Sequence, residues 1–497
     1  MGALRQRLGA MALIVAAMAG VGTIASPTAR AEEPAIELRI MTFNMWYGGA
    51  QVNAGQVVEA IKAAKADIVG LQEPDGTARA IANGLGWPYV DERRHILSRY
   101  PLFDPPGDSL YVWVEPRPGR IVAVANVHMP ATPYGPEAVR DGQDLAAVMQ
   151  METETRMPAI QPYLAALPKV AADGTPVFLT GDFNSPSHLD WTEAVMKVRP
   201  QVKYVVEWPV SKALADAGLR DSYREAHPDP VERAGLTWTA GYPYPRVKPA
   251  ETFDRIDLVW SAGNTRVTAS EVVGEAGGPD VDIPVMPWPS DHRAVVSTFE
   301  AVPGIAPAMV GVDRRVVTQG DDFILRFSIE SREEARISVV PKGGDPAKNA
   351  LARMATGDAS DRPSIKLGST FMKAGAYDAV LCDADGKELA RTPFWVLGRD
   401  AMPIVASKKA SYKPGQTIDV SWHNAPGMKF DWVAIYRAGD PDIYNYIAYI
   451  YTGATVEGTG SFDSEAIGGK LDPGNYEVRL LRDDSYVLLA RASFTVK

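Results

Sequence analysis

Alternating apolar and polar positions divide the first 300 residues into strands and helices. Residues 36–46 (IELRIMTFNMW) alternate with a strand-like period, residues 56–65 (QVVEAIKAAK) have helical spacing, and residues 66–73 (ADIVGLQE) form a second apolar strand. Two further strands flank a Pro-Gly turn within 110–131, and a helix from about 146 to 167 precedes the strand in TPVFLTGDFN. This alternation predicts an α/β layered domain with largely buried strands.

The pattern changes near residue 300, where short strands separated by Gly, Pro and Asp turns replace it. VVTQGDDFILRFSI, from residue 316, parallels SYKPGQTIDVSWHN, from residue 411, and Tyr377 and Tyr476 occupy matching positions further on. This internal repeat predicts two tandem β-sandwiches of the usual size. We therefore expect domains at 32–300, 301–399 and 400–497.

The first 31 residues have the pattern of a secretory signal peptide. Arg5 and Arg7 precede a short apolar run, and Ala29-Arg30-Ala31 fits a small-x-small cleavage site. A membrane anchor is the alternative, but the run is short and rich in Ala and Gly. No other stretch is long and apolar enough to span a bilayer. We expect an exported protein, periplasmic or extracellular, without a transmembrane segment.

The charge and the cysteine content limit the kinds of ligand and metal site that the chain can have. Residues 32–300 hold 24 Lys and Arg against 36 Asp and Glu, whereas residues 301–497 hold 24 against 25. An acidic domain is poorly suited to sequence-independent nucleic-acid binding, which depends on phosphate neutralisation by basic side chains, but it suits divalent cations. Cys382 is the only cysteine, so the chain can form neither an intrachain disulfide nor a cysteine metal site.

Asp182 and Asn184 stand two apart at the end of an apolar strand, where Gly181 frees the backbone. Side chains two apart on a strand share a face, so their oxygens can converge. An ordinary Asp/Asn turn cap is the alternative. Other strand ends also carry polar side chains, and ends at one sheet edge line the functional crevice in α/β folds. These residues are Asn44 in TFN, Glu73 in LQE, His128 in NVH, Asp257 in RID, and Asp291 and His292 in SDH.

The residue types indicate hydrolysis of a phosphate ester. Oxygen ligands without cysteine favour a hard cation such as Mg²⁺ or Mn²⁺, which binds a few carboxylates together with substrate phosphate. Glu73 is the predicted main ligand, with Asn44 and Asp291 beside it. Histidine can bind phosphate oxygens or transfer protons near neutral pH. The set therefore fits attack by water on a phosphate ester.

The motifs TFN, LQE, NVH, TGDFN, RID and SDH, in this order over residues 36–300, resemble the endonuclease/exonuclease/phosphatase superfamily. That superfamily includes deoxyribonucleases, bacterial sphingomyelinases and inositol-polyphosphate phosphatases. The resemblance implies an α/β four-layer sandwich, followed here by two immunoglobulin-like all-β sandwiches. It also implies a divalent-metal-dependent phosphoesterase.

The resemblance also implies a role for each residue. Asn44 and Glu73 would bind the metal, Asp182 would orient or deprotonate the attacking water, and Asn184 would contact phosphate or metal. His292 would act as acid/base or bind phosphate, with an aspartate holding its ring, and His128 matches the second histidine of the nuclease and sphingomyelinase branches.

TFDRIDLVW offers two candidates for the aspartate that holds the His292 ring, Asp254 and Asp257. The RID context favours Asp257, and a salt bridge with Arg255 is the alternative role for the other. His95 in a loop is predicted to lie at the surface, as is Arg156 on a helix, for which contact with phosphate is the alternative.

The leading functional hypothesis is an exported, Mg²⁺-dependent phosphoesterase. A diester substrate is favoured over a monoester because His128 matches the branches that cleave diesters. A nuclease or a sphingomyelinase-like phospholipase would use the same chemistry. The alternative from another class is a non-catalytic surface-binding protein acting through the sandwiches, with residues 301–497 contacting envelope or polysaccharide. The aromatic-rich segment 429–453 suits such binding, but sandwich core and an edge strand are the favoured explanation.

Overall fold

The computed structural model describes residues 34–105, 109–238, 252–329, 335–357, 364–428, 430–483 and 485–497. Residues Ala35–Lys497 form one compact unit. The predicted signal peptide, residues 1–31, lies outside the described residues. Among the helices that the structure describes, none combines the length and hydropathy needed to cross a bilayer.

Strands and helices alternate through the N-terminal part, as the sequence pattern predicts. The strands are β1 Ile36–Asn44, β2 Ile68–Gln72, β3 Tyr89–Asp91, β4 Ile96–Ser98, β5 Leu102–Phe103, β6 Tyr111–Arg117, β7 Arg120–His128, β8 Val177–Asp182, β9 Arg220–Asp221, β10 Asp257–Ala262, β11 Thr265–Gly274, β12 Val281–Pro284, β13 Ala294–Ala301 and β14 Gly304–Ile305. The helices are α1 Ala54–Ala63, α2 Ala78–Leu85, α3 Gly135–Arg140, α4 Leu145–Ala171, α5 Glu193–Met196, α6 Pro209–Asp216 and α7 Ser222–Ala226.

Two sheets pack against each other through one shared core. The first has the order β12-β11-β13-β1-β2-β4-β3, and the second β5-β6-β7-β8-β10-β9, with β14 also paired to β7. Leu38 and Ile40 of β1 pack with Phe178 of β8 between the sheets. The alternate β1 residues Met41 and Phe43 face α1 and α2 instead. Helices α4 and α6 pack on the outer face of the second sheet.

The register of the second sheet aligns three of the predicted site residues. His128 at the end of β7 is the partner of Asp182 at the end of β8, and these strands are parallel. Asp257, the first residue of β10, is the partner of Asp182 on its other side, where the strands are antiparallel. His128, Asp182 and Asp257 therefore occupy one rung across three neighbouring strands.

The C-terminal part is mostly β. Its strands are β15 Met309–Val312, β16 Val316–Thr318, β17 Asp322–Ser328, β18 Arg336–Pro341, β19 Ala352–Ala355, β20 Ser364–Gly368, β21 Gly375–Cys382, β22 Glu388–Leu397, β23 Ile404–Ser407, β24 Ser411–Tyr412, β25 Ile418–His423, β26 Trp432–Arg437, β27 Ala448–Tyr451, β28 Gly458–Phe462, β29 Gly474–Leu481 and β30 Leu488–Val496.

These strands form two sets with the same arrangement. Sheets β15-β17-β20 and β16-β22-β21-β18-β19 correspond to β23-β25-β28 and β24-β30-β29-β26-β27. The matched residues Tyr377 and Tyr476 each donate a hydroxyl hydrogen bond to a backbone carbonyl four residues earlier. The sequence repeat therefore corresponds to a repeat of strand order. The exact domain boundaries stay a prediction.

The C-terminal strands contact the N-terminal part through buried polar groups. His95 Nε2 lies 2.5 Å from Asp483 Oδ1, and Ser328 Oγ donates to Glu115 at 2.6 Å. The surface prediction for His95 is wrong because a residue 388 positions away covers it.

The surface prediction for Arg156 is also wrong. Arg156 is fully buried in α4, bonded to Glu152 at 2.7 Å and to two loop carbonyls, Ala131 and Pro133. Its guanidinium thereby fixes the loop that follows His128.

Candidate active site

The ends of strands from both sheets bring the predicted residues together. Asn44 ends β1 in the first sheet, and Glu73 follows β2 directly. His128 and Asp182 end β7 and β8 in the second sheet, while Asp257 begins the antiparallel β10. Asp291 and His292 lie in the segment just before β13.

The Asp182 carboxylate lies at the centre of this group and is almost fully buried. Its Oδ2 accepts a hydrogen bond from Asn44 Nδ2 at 2.9 Å, which joins the two sheets. The same oxygen lies 3.7 Å from His128 Nε2 and 3.8 Å from His292 Nε2. Its Oδ1 accepts a hydrogen bond from the Asn184 backbone at 2.9 Å. One carboxylate therefore caps the local turn and faces both histidines.

His292 and Asp257 form a buried ion pair. His292 Nδ1 lies 3.0 Å from Asp257 Oδ2, which leaves Nε2 directed towards Asp182. Burial lowers the pKa of the imidazole, but the charges of Asp257 and Asp182 outweigh burial and hold that pKa well above its ordinary value. Burial raises the pKa of Asp257, with the imidazolium opposing the shift. At neutral pH the ring carries its proton, and both nitrogens are donors.

A tight loop after β1 holds the predicted metal ligands by its backbone. The Trp46 amide donates to Asn44 Oδ1, and the Tyr47 amide donates to Glu73 Oε2, both at 3.1 Å. Asn44 Nδ2 also contacts Glu73 Oε1 at 3.2 Å. Trp46, Tyr47 and Glu73 have φ near +50°, which costs a residue with a side chain roughly 1–2 kcal/mol. Strained residues persist where surrounding contacts hold them, and here they cluster at the site.

Asp291 adds a further carboxylate to this side of the group. Burial raises its pKa to about 6; the nearby His292 opposes the shift, and the charges of Glu73 and Asp182 add to it. The negative charges of Glu73 and Asp182 therefore lie close enough to Asp291 to affect its protonation.

Asn184 and Asp254 occupy supporting positions. Asn184 has a φ of 48°, and its amide nitrogen donates to the Met129 carbonyl at 3.0 Å. Asp254 is buried among other partners, accepting from Trp191 Nε1 at 3.0 Å and from the Tyr134 hydroxyl at 3.3 Å. It is Asp257, and not Asp254, that contacts the His292 ring.

The alternative role considered for Asp254, a salt bridge with Arg255, is wrong. The Arg255 guanidinium instead bonds Asp190 at 3.0 Å and Asp221 at 2.7 Å. Arg199, at 3.5 Å, is the cation nearest to Asp254 in the recorded ion pairs.

Sequence reasoning missed several residues that support the site. Ser290 Oγ donates to the Asn44 carbonyl at 2.7 Å and accepts from the His292 amide at 3.0 Å, so it ties β1 to the histidine. Trp288 Nε1 donates to the His292 carbonyl at 2.7 Å. Beneath the site, Gln72 Nε2 donates to Asn126 Oδ1 at 2.7 Å across the two sheets. Ser290 lies in the motif PSDH and Trp288 directly before it, where packing beside proline or lining the pocket were both open, and Gln72 and Asn126 lie within the motifs LQE and NVH.

The donor set fits a divalent cation. Among the described residues, the ion pairs recorded for Glu73 and Asp182 involve only histidines. Asp257 Oδ1 is buried without a hydrogen-bond partner in the described part of the chain. Side-chain atoms of Asp182, Asp257 and His292 lie within 4.8 Å of one another. A protonated His292 cannot ligate a cation, so the Glu73 and Asn44 side of the group is the better position for one.

Comparisons with known proteins agree with this arrangement. The model of the Endonuclease/Exonuclease/phosphatase family matches residues 41–292. An uncharacterised protein of Caenorhabditis elegans is 32% identical over 297 residues, which is 53% of this chain and 91% of that protein.

Solved structures of low sequence identity also align. An endonuclease/exonuclease/phosphatase from Beutenbergia cavernae is 18% identical and covers 72% of this chain and 99% of its own, with a TM-score of 0.35. A mannosyl-6-phosphatase from Bacteroides thetaiotaomicron is 16% identical and covers 53% of this chain and 99% of its own, with a TM-score of 0.30. Because the family model spans half of the sequence and all of the strand-end residues lie within it, the chain belongs to the endonuclease/exonuclease/phosphatase family.

Proposed function

We propose that this chain is an exported, divalent-metal-dependent phosphodiesterase. Members of its family hydrolyse phosphate esters and depend on divalent metal ions. The observation that carries the proposal is the Asp182 carboxylate, whose Oδ2 lies between Asn44 and the two histidines, 2.9 to 3.8 Å away. That arrangement supplies a base, two proton or phosphate-binding groups, and a neighbouring cluster of oxygen ligands.

Glu73, Asn44 and Asp291 are the residues that would hold Mg²⁺ or Mn²⁺. Their carboxylate and amide oxygens are the donors that hard cations prefer. When bound, the ion supplies positive charge that stabilises the developing charge on phosphate oxygens.

The chain's own residues would carry the proton transfers. Asp182 accepts a proton from the attacking water as the water oxygen bonds to phosphorus. The bond from phosphorus to the leaving oxygen breaks, and that oxygen takes a proton from His292 Nε2. Asp257 holds the imidazole so that this nitrogen faces the reaction. His128 would bind a phosphate oxygen, and Asn184 would contact phosphate beside it.

Several finer predictions belong to the same proposal. The packing of helices on the outer faces of two stacked sheets supports a four-layer α/β sandwich, and the repeated strand order supports two immunoglobulin-like domains. Export rests on the signal-peptide pattern of residues 1–31. Contact of residues 301–497 with envelope or polysaccharide stays a prediction. The non-catalytic alternative is disfavoured because every motif residue keeps a side chain capable of its role.

The test is hydrolysis of bis-p-nitrophenyl phosphate by the full chain. We expect EDTA to abolish hydrolysis, Mg²⁺ or Mn²⁺ to restore it, and Glu73→Gln to remove it because the ligand loses its charge but keeps its shape. Glu59→Gln, which changes an exposed carboxylate of α1 paired with Lys62, is the matched control and should be fully active. Full activity in EDTA would contradict the metal requirement, and an active Glu73→Gln variant would contradict the assignment of the ligand.

A further inference from the structure

An exposed group of tyrosines lies on the last β-sandwich. Tyr444, Tyr446, Tyr449 and Tyr451, on and before the edge strand β27, are 57%, 37%, 43% and 42% exposed, and Tyr486 packs beside them. We call these five residues the tyrosine strip. Its neighbours in the same segment, Trp432 and Tyr436, are buried. Residues 430–453 therefore contribute both sandwich core and an exposed aromatic surface.

The rings of the strip are held in place by a buried tryptophan. The Trp432 ring centroid lies 5.5 Å from Tyr446, 5.9 Å from Tyr449 and 5.5 Å from Tyr486, each edge to face. Tyr444 contacts Tyr486 with centroids 4.7 Å apart. Aromatic rings fixed in this way lose little conformational entropy when a ligand binds. The strip is thus a preorganised surface.

The strip is continuous with the candidate active site. The side chain of Tyr47 lies beside those of Tyr444 and Tyr486, and the Tyr47 backbone amide donates to Glu73 Oε2 at 3.1 Å. Nearby, Arg482 Nη2 donates to the Asp75 carbonyl at 2.5 Å, two residues after Glu73. The C-terminal sandwich is therefore attached to the loops that carry the predicted metal ligand, with its tyrosines at the junction.

The charges around the strip define what it can bind. Asp442 accepts the Tyr444 amide at 2.9 Å, and Asp440 lies in the same loop. These carboxylates disfavour additional phosphate groups next to Tyr444. Tyrosine rings instead stack on uncharged rings, as they do on bases and other planar groups.

We propose that Tyr47, Tyr444 and Tyr486 form a subsite for an uncharged ring-bearing substituent of the phosphodiester, so that the C-terminal sandwich takes part in substrate selection. This inference rests on the proposed function. The shared chemistry is a ring that stacks on tyrosine, whether aromatic, as in an aryl group or a base, or saturated, as in a sugar.

Matched substrates test the proposal on the full chain. Methyl, phenyl and cyclohexyl esters of p-nitrophenyl phosphate share one leaving group and differ only in the retained substituent. We expect kcat/KM to favour a ring ester over the methyl ester by about tenfold, within the range measured for stacking on aromatic side chains. Preference for phenyl alone identifies a planar ring, whereas an equal preference for cyclohexyl identifies a saturated one.

Variants separate a binding role from a structural one. Tyr444→Ala should bring the ratio of ring to methyl kcat/KM towards one, and Tyr444→Phe should retain most of it because the ring remains. Phe371→Ala is the control, since it removes a side chain that is 48% exposed on the other sandwich, and should leave the ratio unchanged. A wild type without ring preference would overturn the proposal, as would equal losses on all esters in Tyr444→Ala.

A direct binding measurement distinguishes this proposal from the proposed function. If no ester is hydrolysed, the proposed function fails, and the subsite is tested by titrating diphenyl phosphate and dimethyl phosphate while following protein fluorescence. Tighter binding of diphenyl phosphate that Tyr444→Ala abolishes would support the subsite. Equal binding of the two compounds would exclude it.

Discussion

Replacing Asp182 by asparagine separates the two contacts that its carboxylate makes. Oδ1 caps the turn by accepting the Asn184 amide, and Oδ2 faces Asn44, His128 and His292. Asparagine keeps a carbonyl oxygen for the cap, while its amide nitrogen takes the place of Oδ2. Alanine removes both contacts. The two substitutions therefore have different consequences for stability but the same consequence for proton transfer.

The expected magnitudes follow from these contacts. Loss of a general base typically costs 10²–10⁴ in rate, or roughly 3–5 kcal/mol in the activation free energy, so kcat should fall by that factor in both variants. The free energy of unfolding of Asp182→Asn should stay within about 1 kcal/mol of wild type. Asp182→Ala should lose a further ~1.5–3 kcal/mol, the value of a hydrogen bond to an ionised group.

The assay pairs kcat on bis-p-nitrophenyl phosphate with urea unfolding of the same proteins. Asp173 supplies the control, since its Oδ1 caps the Thr175 amide at 2.9 Å in an ordinary turn before β8. Asp173→Ala should lose about 1 kcal/mol of stability without loss of kcat. If Asp182→Asn keeps most of its activity and is destabilised like Asp173→Ala, Asp182 is a turn cap and the base assignment is refuted.

Three further predictions test the surroundings of the site. Asp257→Asn should lower the pKa of His292 and move the alkaline limb of the kcat–pH profile to lower pH, whereas Asp254→Asn should not; equal shifts would contradict the pairing. Burial and the charge of a neighbouring aspartate raise the pKa of Asp431 to about 7, above its ordinary value, so the unfolded chain loses this proton first as pH rises. Wild-type stability should fall between pH 4 and 7 by up to ~4 kcal/mol, and Asp431→Asn should remove that part of the fall in urea unfolding; unchanged pH dependence would refute the shift. Gly70→Ala would place a methyl group 2.0 Å from a threonine hydroxyl, so we expect a loss of at least ~2 kcal/mol by the same measurement, and wild-type stability would show that the two sheets can separate.

The sequence predicted the positions of strand ends well because they depend on local patterns. Strand periodicity and the glycine in TGDFN place Asp182 at the end of β8, and the RID motif places Asp257 at the start of β10. Once β8 and β10 pair in one sheet, the side chains of Asp182 and Asp257 lie next to each other. The boundaries of α1 and α4 also lie within a few residues of the predicted ones.

Features that depend on distant partners could not be predicted. His95 is buried by Asp483, and nothing near His95 in the chain indicates this contact. The left-handed conformation of Tyr47 is held by the carboxylate of Glu73, which follows β2 and lies 26 residues further along the chain. Arg156 is different, because Glu152 lies four residues earlier on the same helix. The spacing of these two residues in the sequence is enough to predict their ion pair.

The single rung shared by His128, Asp182 and Asp257 has a consequence for folding. A slip of β8 by one residue would turn Asp182 to the opposite face and separate it from both neighbours at once. Such a molecule would keep its strand content, and hence a native-like circular dichroism spectrum, while losing all turnover. The activity regained after refolding therefore measures the fraction of molecules in which β7, β8 and β10 pair in the native register. Circular dichroism, which reports strand content alone, would not distinguish them from molecules with a shifted strand.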